Sequence, residues 1–235
     1  PYDAPIRDVH IAMLDDKALV DVDLGGAAEL AHHDADAGYR IYTLARPLQP
    51  GEQREFRFRV DYHPTGIQNS LAQTQFVDNG SFFNNGAFPS FGYNAQFEIS
   101  DRNERRKRDL GEPRRMPLLE DTAHHANTYL SDDADWIAFS TTICTAPGQV
   151  ALAPGKLQRE YERDGRRCFD YALAQPMLNF HAWLSGEWDV VRGAYQAGTR
   201  DEIPIEVYHH PAHAWNVDRM IDSVQKSLAY FEASF

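Results

Sequence analysis

The sequence predicts a mostly β protein: an antiparallel sandwich or saddle of about ten short strands, followed by one amphipathic C-terminal helix. Three observations predict it. From Arg54 to Tyr62 the residues alternate, with Phe56, Phe58, Val60 and Tyr62 on one face and Arg57, Arg59 and Asp61 on the other; that is the period of a half-buried strand. Turn signals recur between such runs, at Pro50-Gly51, Asn79-Gly80, Asn85-Gly86, Pro147-Gly148, Pro154-Gly155 and Gly198. From Asn216 onward, Val217, Met220, Ile221, Val224, Leu228, Phe231 and Phe235 recur at three- and four-residue steps, which makes one apolar helical stripe wide enough to need burial.

In chain order, strand-like runs fall at 18–24, 39–45, 54–62, 96–99, 136–144, 150–153, 167–173, 178–184, 188–195 and 203–208. Short strands at this spacing are the mark of a sandwich or saddle. Residues 84–117 break the rhythm and, rich in Gly, Pro and Arg, predict an ordered loop region crossing the sheets. The basic run from Arg102 to Arg108 is interrupted by acid and flanked by Gly111 and Pro113, so a solvated loop is expected there. Near Tyr208 the strands give way to the helix, the one credible domain boundary. The helix stops on an apolar residue with no glycine cap. An excised piece of a longer protein is the expectation, with a terminal helix docked on its own domain as the alternative.

Composition narrows the function. A chain of 235 residues with 43% hydrophobic residues can bury a core. The formal net charge of −12 argues against a nucleic-acid-binding module. No run approaches the ~20 apolar residues of a membrane-spanning helix, so no direct membrane insertion by this chain is expected. Cys144 and Cys168 are too few for a disulfide scaffold, form no metal spacing and sit in strand-like runs, so buried free thiols are expected.

Catalytic motifs are missing. His209 and His213 are four apart, a spacing used by helical metal ligands, but Pro211 lies between them. A strand-to-helix junction is the better reading of Tyr-His-His-Pro-Ala-His. His32-His33 and His124-His125 lie in polar surroundings and should be exposed. Ser90 sits among glycines without the Gly-x-Ser-x-Gly elbow of an esterase, and the segment from Gly148 to Lys156 has the wrong length for a phosphate loop. The residues alone support no catalytic site and no metal site.

The run from Thr74 to Tyr93 adds a likeness. Thr74-Gln75-Phe76, then Gly86-Ala87-Phe88-Pro89-Ser90-Phe91, resembles the signature in the N-terminal β domain of aminopeptidase N-type zinc metallopeptidases. The run from Ala134 to Ile143, the run from Pro176 to Leu184, and Ile205 to Phe235 resemble later features of that family in the same order. Asn79-Gly80-Ser81-Phe82, Ala153-Pro154-Gly155 and the stretch from His210 to Met220 resemble a bacterial branch in which such a module is fused behind an ABC-2-type transporter permease.

The resemblance implies that residues 1–207 are the β domain and 208–235 a linker and the first helix of a truncated catalytic domain. It also implies that the catalytic zinc, held by His-Glu-x-x-His and a further Glu, belongs to the parent protein beyond Phe235, with no cofactor in this chain. Expected partners are the missing metallopeptidase domain, the parent's peptide substrate, and a second copy through the exposed helix. The parent would be associated with a bacterial membrane, on a side the residues do not specify. Cleft candidates implied by the likeness are Gln75, Val77 and Asp78. Val77 occupies the position where relatives place an amine-binding Gln or Glu, which an aliphatic side chain cannot replace. The rival function is a self-contained module binding peptide or sugar. It gains weight if the aromatic segment Phe82-Phe83…Phe88…Phe91…Tyr93 forms an open groove instead of core.

Overall fold

A computed structural model describes residues 4–13, 15, 18–63, 75–77, 79–92, 98–113, 117–124, 135–198 and 202–235. Among them the protein is mostly β, in several antiparallel sheets, with a long C-terminal helix. The chain divides into two compact units. One comprises Pro1–Gln73, Phe83–Phe139 and Leu173–Ala182; the other comprises Thr74–Phe82, Ser140–Ala172 and Trp183–Phe235.

In the first unit, β1 (Ile6–Ala12), β3 (Ala28–Asp34), β4 (Tyr39–Leu48) and β8 (Ser90–Phe91) form a sheet in the order β3-β4-β1-β8. A ribbon of β2 (Leu19–Asp23) and β5 (Arg57–Val60) completes the core. Ile11, Leu24 and Leu44 form that core, with Val9, Val22, Tyr42, Leu48 and Phe56 packed against it. The alternation expected across 54–62 holds in part: the strand itself is Arg57–Val60, Val60 and Tyr62 pack on Met13, Ala18 and Leu19, and Arg57 and Arg59 face solvent, but Phe58 is exposed as well. β3 is exposed on both faces and forms the sheet's edge, and its register against β4 skips Ala31, which makes a bulge.

The basic run corrects the expectation of a loop. Arg102–Lys107 is a short helix, α1, begun by Asp101, whose carboxylate accepts a hydrogen bond from the Glu104 amide at 2.8 Å. Within it Arg105 is 9% exposed. Its Nε donates to the Gly111 carbonyl (2.6 Å), and its Nη1 donates to Ile99 O and Glu98 Oε2 (both 2.9 Å). Glu98 and Ile99 lie outside any strand, against expectation, and accept hydrogen bonds from this guanidinium; Gln96 and Phe97 lie outside the described residues.

In the second unit, β10 (Ser140–Thr145), β12 (Lys156–Arg163) and β13 (Arg166–Ala172) form a sheet with β13 at its centre. Ala151, Phe169 and Tyr171 are its core. Cys144 and Cys168 face each other in the β10–β13 register and form a disulfide with Cα atoms 4.0 Å apart. The expectation of free thiols is thereby corrected, because the pairing of two strands 24 residues apart brings the sulfurs together.

A second sheet in this unit has the order β11-β15-β7-β6, from Val150–Leu152, Ala182–Gly186, Gly80–Asn84 and Phe76–Val77. Gly80 lies so close to β15 that a Cβ there would meet the Ser185 carbonyl at 2.3 Å. The hairpin of β16 (Asp189–Tyr195) and β17 (Ile203–His209) carries the terminal helix α2 (Val217–Ser234). Ile221 packs over Gly193, Gln225 Nε2 donates to Ala194 O at 2.7 Å, and the Tyr195 hydroxyl donates to Glu232 Oε2 at 2.7 Å. One face of the apolar stripe is thereby used. Met220, Val224, Phe231 and Phe235 remain exposed, Phe235 at 97%.

Candidate functional site

Two places in the molecule bear on function. The first is the strand carrying the sequence-derived cleft candidates. β6 is two residues long and pairs antiparallel with β7, Phe76 opposite Ser81 and Val77 opposite Gly80, at the edge of its sheet. Gln75 precedes it, exposed, with its carbonyl accepting from the Phe82 amide at 2.8 Å. Val77 is 43% exposed. Asp78 lies outside the described residues. Val77 thus lies on the edge strand and Gln75 in the bend two residues before it. Of the two, only the Gln75 side chain has polar atoms to offer a ligand.

The second place is an aromatic-walled cleft within the first unit, of about 530 Å³. Val9, Leu24, Leu44 and Leu48 supply its apolar floor, and Phe56 and Phe91 a wall, with their rings 4.6 Å apart and edge to face. Phe58 and Phe88 extend the ring series, yet Phe58 and Phe91 are 40% and 42% exposed. Of the aromatic segment, Phe82 and Phe91 are exposed and Phe83 and Phe88 half-buried, so it is an open surface in part; Tyr93 lies outside the described residues. Polar groups at the rim are committed within the protein. His10 Nδ1 hydrogen-bonds the Tyr39 hydroxyl. Thr43 Oγ1 donates to Asp8 Oδ1 at 2.7 Å, and Glu55 pairs with Arg57 at 2.7 Å. Such a cleft can hold an apolar group; it presents no free nucleophile–base pair for chemistry. The sequence reading missed β1, which supplies Val9 and His10, although Val9 and Ile11 alternate with polar neighbours there.

Among the described residues the histidines do not gather into a metal centre. His209 Nδ1 hydrogen-bonds the His210 carbonyl (3.0 Å), and the Ala212 amide donates to His210 Nδ1 (3.1 Å). His210, His213 and Trp215 stack in series, at 5.0 and 5.3 Å between centroids. They build the corner between β17 and α2. Among the described residues no three His, Cys, Asp or Glu side chains come together as a metal site, so those residues do not fit a catalytic zinc. His32 and His33 are exposed on β3, as is His124; His125 is outside the described residues.

Among the groups with shifted acidities, Tyr208 and His181 are moved chiefly by burial. Burial, reinforced by its 2.7 Å hydrogen bond to Glu206, pushes the Tyr208 hydroxyl above the ordinary phenol range. Burial lowers His181, whose ring lies 4.7 Å from Phe139.

No family model matches the sequence, and no curated protein matches it. Solved structures do. An aminopeptidase A from Legionella pneumophila, in complex with aspartic acid, is 15% identical with a TM-score of 0.57, over 97% of this chain and 23% of its own. A zinc metallopeptidase of the M1 class from Deinococcus radiodurans is 14% identical with a TM-score of 0.50, over 92% of this chain and 44% of its own. A variant of the Deinococcus enzyme bound to a Tyr-Ser-Ala substrate gives 0.51, with 94% and 45% covered. The chain spans less than half the length of each. At these identities the likeness is one of fold, and that fold resembles the N-terminal domain of M1 metallopeptidases.

Proposed function

We propose that this chain is the non-catalytic β module of a zinc-metallopeptidase-like protein, walling and orienting a peptide-binding cleft whose catalytic machinery lies in a further domain. The observation that carries the reading is the fold match: nearly all of this chain aligns with less than half of each M1 enzyme. In this reading residues 1–207 are the β domain and 208–235 lead into the catalytic domain, which would hold the zinc. Gln75, Val77 and Asp78 would line the substrate side. The exposed Met220, Val224, Phe231 and Phe235 would be covered by that domain, or by a second copy when it is absent. Neither the fold nor the comparisons support a fused transporter permease or membrane association; among the described residues no helix is long and apolar enough to cross a membrane.

Reading the parent frame past Phe235 tests this directly. The expected result is a Gly-Pro-Tyr followed within about a hundred residues by His-Glu-x-x-His and a further Glu. A stop codon, or a continuation without those ligands, overturns it.

The half-exposed Phe58 and Phe91 beside the 530 Å³ cleft favour a second reading, a module that itself binds an apolar peptide side chain. Isothermal titration with short aromatic peptides separates the two. Binding abolished by Phe91→Ala supports the module, and no heat from any of them removes it.

A further inference from the structure

We propose that Cys144–Cys168 is a permanent staple formed in an oxidising compartment, and that this protein therefore works outside the reducing cytosol. The inference stands apart from the peptidase reading. Its basis is the unequal surroundings of the two sulfurs. Cys168 lies on the central strand β13, flanked by Cys144 of β10 and Tyr161 of β12, and is 0% exposed. Cys144 is partly exposed, and the Arg163 guanidinium donates from Nη2 to its Sγ at 3.4 Å.

Reduction by an external thiolate must choose a sulfur, and either choice is obstructed. Attack on the reachable Cys144 Sγ forms a mixed disulfide and sends the S–S electron pair to Cys168. The thiolate would then stand where no water reaches it, a poor leaving group. Attack on Cys168 would expel the better leaving group, the Cys144 thiolate beside the Arg163 cation, but no solvent path leads to Cys168. The favourable leaving group and the accessible target are thus the same sulfur, Cys144. A redox switch needs them on opposite sulfurs, because the sulfur attacked is never the one that leaves.

Formation is the mirror requirement. Joining the two thiols releases two protons and two electrons, which a thiol-oxidising partner carrying its own disulfide takes up through a mixed disulfide while the chain is still open. Such partners and poise belong to the periplasm or the extracellular side, and glutathione in the cytosol works against them.

The test is thiol trapping on the whole protein. Cells expressing it are quenched in acid, free thiols are blocked with N-ethylmaleimide, and polyethylene glycol-maleimide is added with or without prior reduction. A two-label gel shift only after reduction is expected; free thiols before reduction overturn the compartment. The purified, folded protein is then treated with excess dithiothreitol. Its reduction should run at least ~10²-fold slower than that of urea-unfolded protein. Equal rates overturn the staple.

Discussion

Replacing Arg105 by alanine removes the guanidinium that ties α1 to the carboxylate of Glu98 and the carbonyls of Ile99 and Gly111. Each of the two carbonyl hydrogen bonds to a cation contributes about 1 kcal/mol net, below the full charged-bond value because Gly111 is exposed. The ion pair adds about 1 kcal/mol, discounted from the cost of breaking a fully buried pair because the Glu98 side chain is 34% exposed. The expected loss is about 3 kcal/mol. Two compact units need not unfold together, so urea melts should be paired with hydrogen exchange over 98–113. Protection there should collapse first in Arg105→Ala. Arg105→Lys keeps the charge but cannot reach three acceptors with a planar fork, and should fall between the two. Unchanged protection in Arg105→Ala, or a lysine variant equal to arginine, refutes the reasoning.

Other expectations follow from geometry already described. The Cys144→Ser/Cys168→Ser double variant opens a loop of 24 residues and should lose about 3 kcal/mol by loop-closure entropy, read as a lower melting temperature that matches the wild type under reduction in urea. Gly80→Ala drives a Cβ into the Ser185 carbonyl and should cost about 1–3 kcal/mol by forcing β7 from β15, seen as lost amide protection in both strands. Burial holds His181 below its ordinary value. The unfolded chain therefore binds a proton first, and stability present above about pH 6.5 is lost as pH falls below it. His181→Phe should flatten that limb of a pH–stability curve. Tyr208 is raised, so the unfolded chain ionises first and stability falls as pH climbs past about 10. Tyr39, Tyr62, Tyr171 and Tyr195 are raised as well, so an ultraviolet phenolate titration should show several tyrosines ionising only as the protein unfolds, and Tyr208→Phe should remove one from that late group.

Those parts of the fold that bury one face were legible in the sequence. β5 announces itself because alternate residues around it meet a core, and α2 because its apolar residues keep a helical period, with Ile221 packed over Gly193. β3 does not, since all seven of its residues are exposed and no alternation is imposed on them. β12 is hidden for the same reason, with only Tyr161 drawn inward, although Asp164-Gly165, both at positive φ, is the dipeptide a tight hairpin demands. The disulfide and the Arg105 site were out of reach, because each depends on partners fixed by strand register or by a returning loop. For the candidate site, the aromatic segment was visible as composition. Its exposure was not, because that depends on where β1 and β5 leave the cleft open.

The bulge at Ala31 has a consequence for the protein's behaviour at high concentration. An edge strand with both faces wet offers its free backbone groups to any second chain that can align with it. The extra residue between Leu30 and His32 throws the strand out of step with a straight ladder, and Glu29 and Asp34 place like charges where a copy of itself would lie. The bulge at Ala31 thus works against such stacking. Deleting that alanine would leave a straight, seven-residue template shortened by one, and light scattering should record the chains beginning to stack.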